Sequence, residues 1–174
     1  MKLYIIGAVA SGKSTLARRV AERTGVPCTH LDDVVYMPDP AAPEGNRKRP
    51  AEERDRLFQE VLAQKSYIIE DAGRACFLEG LRQADTVVLL DPPIAVRRRR
   101  ILTRWVKQNL GLEPCGYRPN FAMLRAMFRW SSRYDTGADG VRGRVGCFQK
   151  KTVVLRNNRE IAAWLAQLPS PSCK

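Results

Sequence analysis

Short apolar runs recur along the chain at residues 3–6, 28–31, 67–69, 86–90 and 152–155. Their lengths and their β-branched and aromatic residues predict strands, and near-continuous apolarity means burial on both faces. Between them lie stretches with apolar residues at helical spacing, about 13–23, 51–64, 74–83, 94–108, 120–133 and 158–167, each bounded by Gly, Pro or Asn. Strands alternating with helices predict an α/β fold in three layers, a parallel sheet covered by helices on both faces. Two stretches fit neither period: 37–50, with four prolines and Arg47-Lys48-Arg49, and 135–151, with four glycines. Both read as loops, either binding segments and lids or solvated surface. The tail 169–174 reads as disordered.

At 174 residues the chain suits one domain spanning 1–174, with no room for a second. Thirty Lys and Arg against eighteen Asp and Glu leave a net charge of +12, which favours polyanionic partners: nucleotides, nucleic acid or an anionic surface. Five cysteines (Cys28, Cys76, Cys115, Cys147, Cys173) form no Cys-x-x-Cys pair, and their odd number argues for reduced thiols rather than a disulfide framework. The only histidine, His30, has one cysteine near it, so no structural metal is expected. The chain enters a strand at once and has no apolar run of about 18 residues, so neither a signal peptide nor a membrane span is expected, and the expected location is the cytoplasm.

Specific chemistry first appears after the first strand. Gly7-Ala-Val-Ala-Ser-Gly12-Lys13-Ser14-Thr15 has the form Gly-x-x-x-x-Gly-Lys-Ser/Thr between a strand and a helix, which is a phosphate-binding loop. Successive backbone N–H groups must wrap around a phosphate, which Gly7 and Gly12 permit through close approach and positive φ. Gly7, Ala8, Ala10, Ser11, Gly12, Lys13, Ser14 and Thr15 are therefore the expected nucleotide contacts, with Lys13 on the β- and γ-phosphates and Ser14 on magnesium.

The later strands each end in acid. Leu31-Asp32-Asp33 follows the second, Glu70-Asp71-Ala-Gly73-Arg74 the third, and Asp91-Pro-Pro the fourth. In an open α/β sheet these ends meet at the ligand-binding edge. Asp32 or Asp33 is a candidate to orient an acceptor or act as base, with helix capping as the alternative. One or two of the acids at the third and fourth strand ends, Glu70 first, are candidates to hold magnesium, and for Asp91 a cap or turn competes. Arg97, Arg100 and Arg104 are spaced to share one helix face, with Arg98 and Arg99 directed elsewhere. This row is read as a clamp on transferring phosphates in preference to a solvated basic face. Trp105 and Tyr117 are candidates to stack on a base or simply to pack. The 121–130 segment reads as core or as a lid's packing face.

These residues together resemble the P-loop kinases of the adenylate kinase type, and within them the DNA topology modulation (FlaR-related) proteins. The likeness runs through Ile5-Ile6-Gly7 to Thr15, His30-Leu31-Asp32, Tyr67-Ile68-Ile69, the run from Ala84 to Leu89, and that from Val153 to Ile161. It implies a P-loop NTPase sheet of five parallel strands in the order 2-3-1-4-5, a helical lid, and acceptor-binding or lid segments at about 37–64 and 105–151. It also implies that Arg74 contacts acceptor phosphate, that Arg100 lies against adenine with Arg104 reaching phosphates, and that the turn at Asn157 borders the base. Glu70 stands where adenylate kinases carry Asp, the Phe-Pro after it is missing, and no adenylate kinase lid sequence follows Arg104, so the resemblance does not extend to AMP as acceptor.

The expected function is an ATP- and Mg2+-dependent phosphotransferase with Lys13, Asp32, Asp33, Arg74, Arg100 and Arg104 as its catalytic set and Ser14 and Glu70 at the metal. Its expected partners are ATP and a small phosphate acceptor, not a membrane. The alternatives are a nucleic-acid-associated ATP-binding protein, suggested by the charge but lacking a recognisable helix-turn-helix, zinc finger or ribonucleoprotein motif, and a nucleotide binder without transfer activity.

Overall fold

The computed structural model describes residues 1–43, 45–117, 119–134 and 140–169. The expected disordered tail lies, from residue 170 on, outside them. β1 (Lys2–Gly7) runs through the glycine loop into α1 (Lys13–Thr24), and β2 (Cys28–His30) follows. Then come α2 (Leu31–Val35), the short strands β3 (Tyr36–Pro38) and β4 (Asn46–Lys48), α3 (Ala51–Leu62), β5 (Tyr67–Asp71) and α4 (Leu78–Gln83). β6 (Thr86–Leu90), α5 (Ile94–Asn109), α6 (Phe121–Arg133), α7 (Val141–Gly146), β7 (Thr152–Leu155) and α8 (Asn158–Ala166) complete the described strands and α-helices, and a 3-10 turn, Ala75–Phe77, precedes α4.

The sheet order is β2-β5-β1-β6-β7, every neighbour parallel. Counting only these five strands along the chain, the order is the expected 2-3-1-4-5. Alternation along β1 divides the core. Leu3 and Ile5 face α1 and α8 through Leu16, Ala17, Val20 and Leu165, whereas Tyr4 and Ile6 face α3 and α4 through Phe58, Val61, Leu62 and Leu81. Because both faces are covered, β1 reads as unbroken apolar sequence. Register then aligns the functional edge: Ile6 sits opposite Asp71, and Gly7 opposite Leu90. The phosphate loop, the acids of β5 and Asp91 therefore leave the sheet at one level.

α5 and α6 form a helical pair beside this edge. Ile101, Leu124 and Met127 are buried between them, with Trp105, Tyr117 and Phe128 packed around, and the cluster reaches Val9 and Ala10 of the loop. Trp105 lies 5.0 Å from Phe121, ring to ring, and its indole N–H donates to the Asn120 carbonyl, so Trp105 serves packing. Among the described residues no helix is long and apolar enough to cross a membrane. Cys28, Cys76, Cys115 and Cys147 are free thiols.

Two expected loops hold regular structure. At the expected loop 37–50, Tyr36–Pro38, which enters it at residue 37, pairs antiparallel with Asn46–Lys48, three residues a side, too short for alternation to register as a pattern. Within 135–151, residues 140–151 carry α7 and a 3-10 turn, Gln149–Lys151, while 135–139 lie outside the described residues. α7 escapes the pattern because Gly143 and Gly146 interrupt it, although Val141 and Val145 are buried one turn apart. The end of the second expected strand, Leu31, instead opens α2.

Candidate functional site

The phosphate loop owes its shape to sterics. A Cβ on Gly7 would lie 2.6 Å from the Leu90 carbonyl and 2.7 Å from Ser11 Oγ, so only glycine fits there between β6 and the loop. Ala10 and Gly12 adopt left-handed backbone, φ 59° and 103°, which coils the loop into a backbone hollow. Gly12 caps α1 with no side-chain cap, and the first turn carries no acid. The amide donors of that turn are thus left for an anion, the arrangement that binds phosphate at a helix N-terminus. Lys13 is buried, and its Nζ donates to the Ala8 carbonyl at 3.2 Å across the loop. Ser11 is also buried, and the exposed Thr15 opens toward the cleft.

The end of β5 delivers two buried carboxylates to opposite sides. Glu70 lies under the loop: Oε1 is 3.5 Å from Lys13 Nζ, and Oε2 accepts from Ser14 Oγ at 3.2 Å and meets His30 Nδ1 at 2.8 Å. Burial pushes its carboxyl up, but His30, Lys13 and Ser14 together outweigh burial and hold it below the ordinary value. His30 is raised in return, chiefly by its hydrogen bond to Glu70. Asp71 faces away from the loop. Its Oδ2 accepts from the backbone N–H of Gly73 and Arg74 at 2.7 and 2.8 Å and from the Tyr4 hydroxyl at 3.1 Å, while Oδ1 accepts from Arg74 Nη1 at 3.1 Å. Burial raises the Asp71 carboxyl despite those donors, and it raises the Tyr4 phenol well above its ordinary value.

A cleft of about 460 Å³ opens over the loop, lined by residues 10–16 together with α5 and the start of α8. From α5 come Arg99, Arg100, Thr103, Arg104 and Lys107. Arg100 Nη1 donates to the Ser11 carbonyl at 2.8 Å, so it touches the loop itself, and Arg104 pairs with Glu113 at 3.0 Å. Arg97 corrects the expected row. It is buried beside Ile101 with its guanidinium 5.5 Å from the Tyr134 ring, and Arg99 lines the cleft instead. Spacings of three and four hold Arg97 near Arg104, but the cleft meets α5 on the far side of Arg100 from Arg97, a direction spacing alone does not give.

The remaining expected residues lie along the edge rather than in this cleft. Asp32, exposed in the first turn of α2, binds Arg74 Nη2, so Arg74 bridges Asp32 and Asp71. Asp33 sits in the same turn, its carbonyl accepting from Arg49. Gly73 has φ 92°, and a Cβ there would come 2.2 Å from Val141 Cγ2; Arg144 donates to the Gly73 carbonyl, seating α7 on this turn. Asp91 is held by Arg142 of α7 at 2.7 and 2.8 Å, a pairing outside both the cap and the metal reading. Asn157 caps α8, accepting from Glu160 N–H at 2.9 Å and donating to Glu160 Oε1 at 2.6 Å, while the next residue, Asn158, and Ile161 line the cleft. Sequence reasoning missed Arg99, Lys107, Asn158 and His30. For His30 a signal existed, since it ends a strand ahead of two aspartates.

Among the described residues no group of three His, Cys, Asp or Glu side chains is placed to hold a metal on protein ligands alone. Ser14 Oγ and Glu70 nonetheless supply adjacent hard oxygens, which suits magnesium carried by a nucleotide, since that ion keeps water and phosphate as its other ligands.

Comparison with known proteins follows the same lines. The described residues superpose on the unliganded structure of a sugar kinase from Janibacter sp. HTCC2649 (TM-score 0.54, 18% identity, covering 94% of this chain and 91% of that one). They also superpose on a gluconokinase from Sinorhizobium meliloti 1021 (TM-score 0.52, 16% identity, 95% and 91%) and on a shikimate kinase from Bacteroides thetaiotaomicron (TM-score 0.50, 14% identity, 95% and 94%). At these identities the likeness is one of fold alone, the three-layer P-loop fold. No curated protein matches the chain. A family model described as AAA domain matches residues 3–110, from β1 through the end of α5. With more than half of its length inside that match, the chain belongs to the AAA domain family.

Proposed function

We propose that the protein is a P-loop kinase that moves the γ-phosphate of Mg-ATP to a small acceptor. The observation that carries this reading is the convergence of Lys13, Ser14 and Glu70 beneath a left-handed glycine loop, with Arg100 bonded to that loop's own carbonyls. The loop backbone from Gly7 to Thr15 would hold the β- and γ-phosphates, Lys13 supplying positive charge between them, and Ser14 with Glu70 would hold magnesium, which neutralises charge that develops on the phosphates. Arg100 and Arg104 stand on α5 where they can meet phosphate oxygens as charge shifts toward the leaving group. Asn157 enters the reading through the turn it caps, which brings Asn158 and Ile161 into the cleft wall, where the base would lie.

The acceptor belongs, in this reading, on the Asp32 side of the edge. Asp32 is exposed and already oriented by Arg74, so it is the better placed of the two aspartates to accept a proton from an acceptor hydroxyl, with Asp33 behind it. Arg74 would then meet the acceptor while Asp71 anchors it from below. The chain acts as a single kinase-like unit, with the α5–α6 pair closing over the nucleotide and 37–64 near the acceptor. The closer resemblance to DNA topology modulation proteins rests on motifs.

The test is ATP consumption by pure protein with magnesium across nucleoside monophosphates, sugars, sugar acids, shikimate-like acids and aminoglycosides. Turnover with one acceptor, reduced on the order of 10²–10³-fold in Lys13→Ala, is the expected result. ATP binding without turnover on any of them would leave a nucleotide-binding regulator and remove the kinase.

A further inference from the structure

His30 is the chain's only histidine, and neither the phosphate loop nor the acceptor edge accounts for it. Its position follows from backbone pairing. β2 and β5 run parallel with His30 opposite Glu70, so the two side chains stand on one sheet face across a single ladder rung. Glu70 is 7% exposed at its side chain, while His30 is 35% exposed, so the imidazole reaches inward from the rim to a carboxylate already under the loop.

Among the described residues, Glu70 has three side-chain partners. Lys13 faces Oε1; Ser14 and His30 share Oε2, at 3.2 and 2.8 Å. Two of these belong to the phosphate loop and have work there. His30 belongs to the neighbouring strand and holds the carboxylate from the other side. A carboxylate only accepts, so Nδ1 carries the proton in this contact. The torsion that swings a glutamate's carboxylate is broad and two-fold, and by itself would let Oε2 drift from Ser14. The imidazole removes that freedom. With Oε2 fixed, the Ser14 hydroxyl points its hydrogen at Glu70, and its lone pairs are left for a cation at the loop.

We propose that His30 is a positioning residue for magnesium-dependent nucleotide binding: through Nδ1–H it locks Glu70 in the orientation that aims Ser14 at the metal. This rests on the nucleotide reading above. Residues one step behind a metal ligand commonly set its affinity by about 10–100-fold, which is the size of effect expected.

The experiment measures binding of a fluorescent ATP analogue to the full chain, with magnesium and with EDTA, for the parent, His30→Ala and His30→Asn. The parent is expected to bind more tightly with magnesium. His30→Ala is expected to lose about 10-fold or more of that gain while its affinity in EDTA stays unchanged. His30→Asn, which keeps a side-chain N–H near the place of Nδ1, is expected to recover most of the loss. An unchanged magnesium gain in His30→Ala overturns the proposal, as does equal weakening with and without magnesium. A parent that binds the analogue equally well in EDTA overturns it while sparing the nucleotide reading, and a parent that binds no analogue overturns both. Because the chain has one histidine, nitrogen-detected NMR of the parent reads the same contact without a substitution. A protonated Nδ1 whose signal is lost in Glu70→Ala supports the proposal, and an Nδ1 without its proton overturns it.

Discussion

The two sides of the carboxyl end of β5 hold their acids by different means. Glu70 and Asp71 are adjacent, acidic and buried, yet alternation sends them to opposite sides. On the loop side Glu70 meets groups that can change partners: an ammonium, a hydroxyl and an imidazole. On the other side Asp71 meets two backbone amides, a tyrosine hydroxyl and the arginine that follows it, which together fold the turn at Gly73. Their titration shifts are opposite, Glu70 lowered and Asp71 raised. Burial acts on both in the same sense, so the difference lies in how much positive charge and hydrogen bonding each environment returns. One buried carboxylate is thus equipped for ligand chemistry and the other for structure.

The largest expected separation comes from removing Asp71. Asp71→Ala leaves the two turn amides and the Tyr4 hydroxyl without their acceptor and Arg74 with Asp32 as its remaining carboxylate, and should cost about 3 kcal/mol in urea-midpoint stability. Glu70→Gln should act in the opposite pattern, lowering magnesium-dependent turnover by about 10–100-fold with a smaller loss of stability. If both variants lost stability equally and activity equally, the two sides would not be functionally distinct.

Gly73→Ala probes the structural side without touching a charge. The left-handed φ and the 2.2 Å approach to Val141 should together cost about 1–3 kcal/mol, read by the urea midpoint and by faster hydrogen exchange in α7. Adding Val141→Ala should return the steric part and leave the backbone part, which separates the two causes. The smallest effect concerns pH. Glu70, lowered from 4.5, contributes stability that is present above pH 4.5 and lost as pH falls through its folded value. His30, raised from 6.5, contributes stability that is present below pH 6.5 and lost as pH rises through its folded value, with Asp33 assisting its charge and Arg18 opposing it. Their joint contribution is therefore greatest between pH 4.5 and 6.5. The stability difference between the parent and His30→Asn, followed across pH, should peak in that window, and a flat difference would show the pair to be inert in folding.

Much of the fold was legible because its signals are local. Each central strand is apolar on both faces, the helices between them show their period, and a glycine loop joining strand to helix names its own chemistry. The hairpin of β3 and β4 and the helix α7 were not legible, being three to six residues long and, in α7, broken by glycines. In the site, Lys13, Ser14 and Arg100 all line the cleft over the loop. Arg97 does not, because helical spacing groups residues by angle without saying which angle faces the loop. Asp32 or Asp33, and Glu70 or Asp71, were equivalent as sequence, since both members of each pair arrive at the same edge.

By itself the sequence determined the alternation of strands and helices, the phosphate loop and the acidic strand ends, since short-range sterics and hydrophobic period decide these. Tertiary structure alone decided that Glu70 and not Asp71 lies under the loop, that His30 reaches Glu70 from the next strand, that Arg142 holds Asp91, and that Arg99 replaces Arg97 at the cleft. Those outcomes depend on strand register and on the angle at which α5 meets the sheet, which are set by contacts between residues 40 to 89 positions apart.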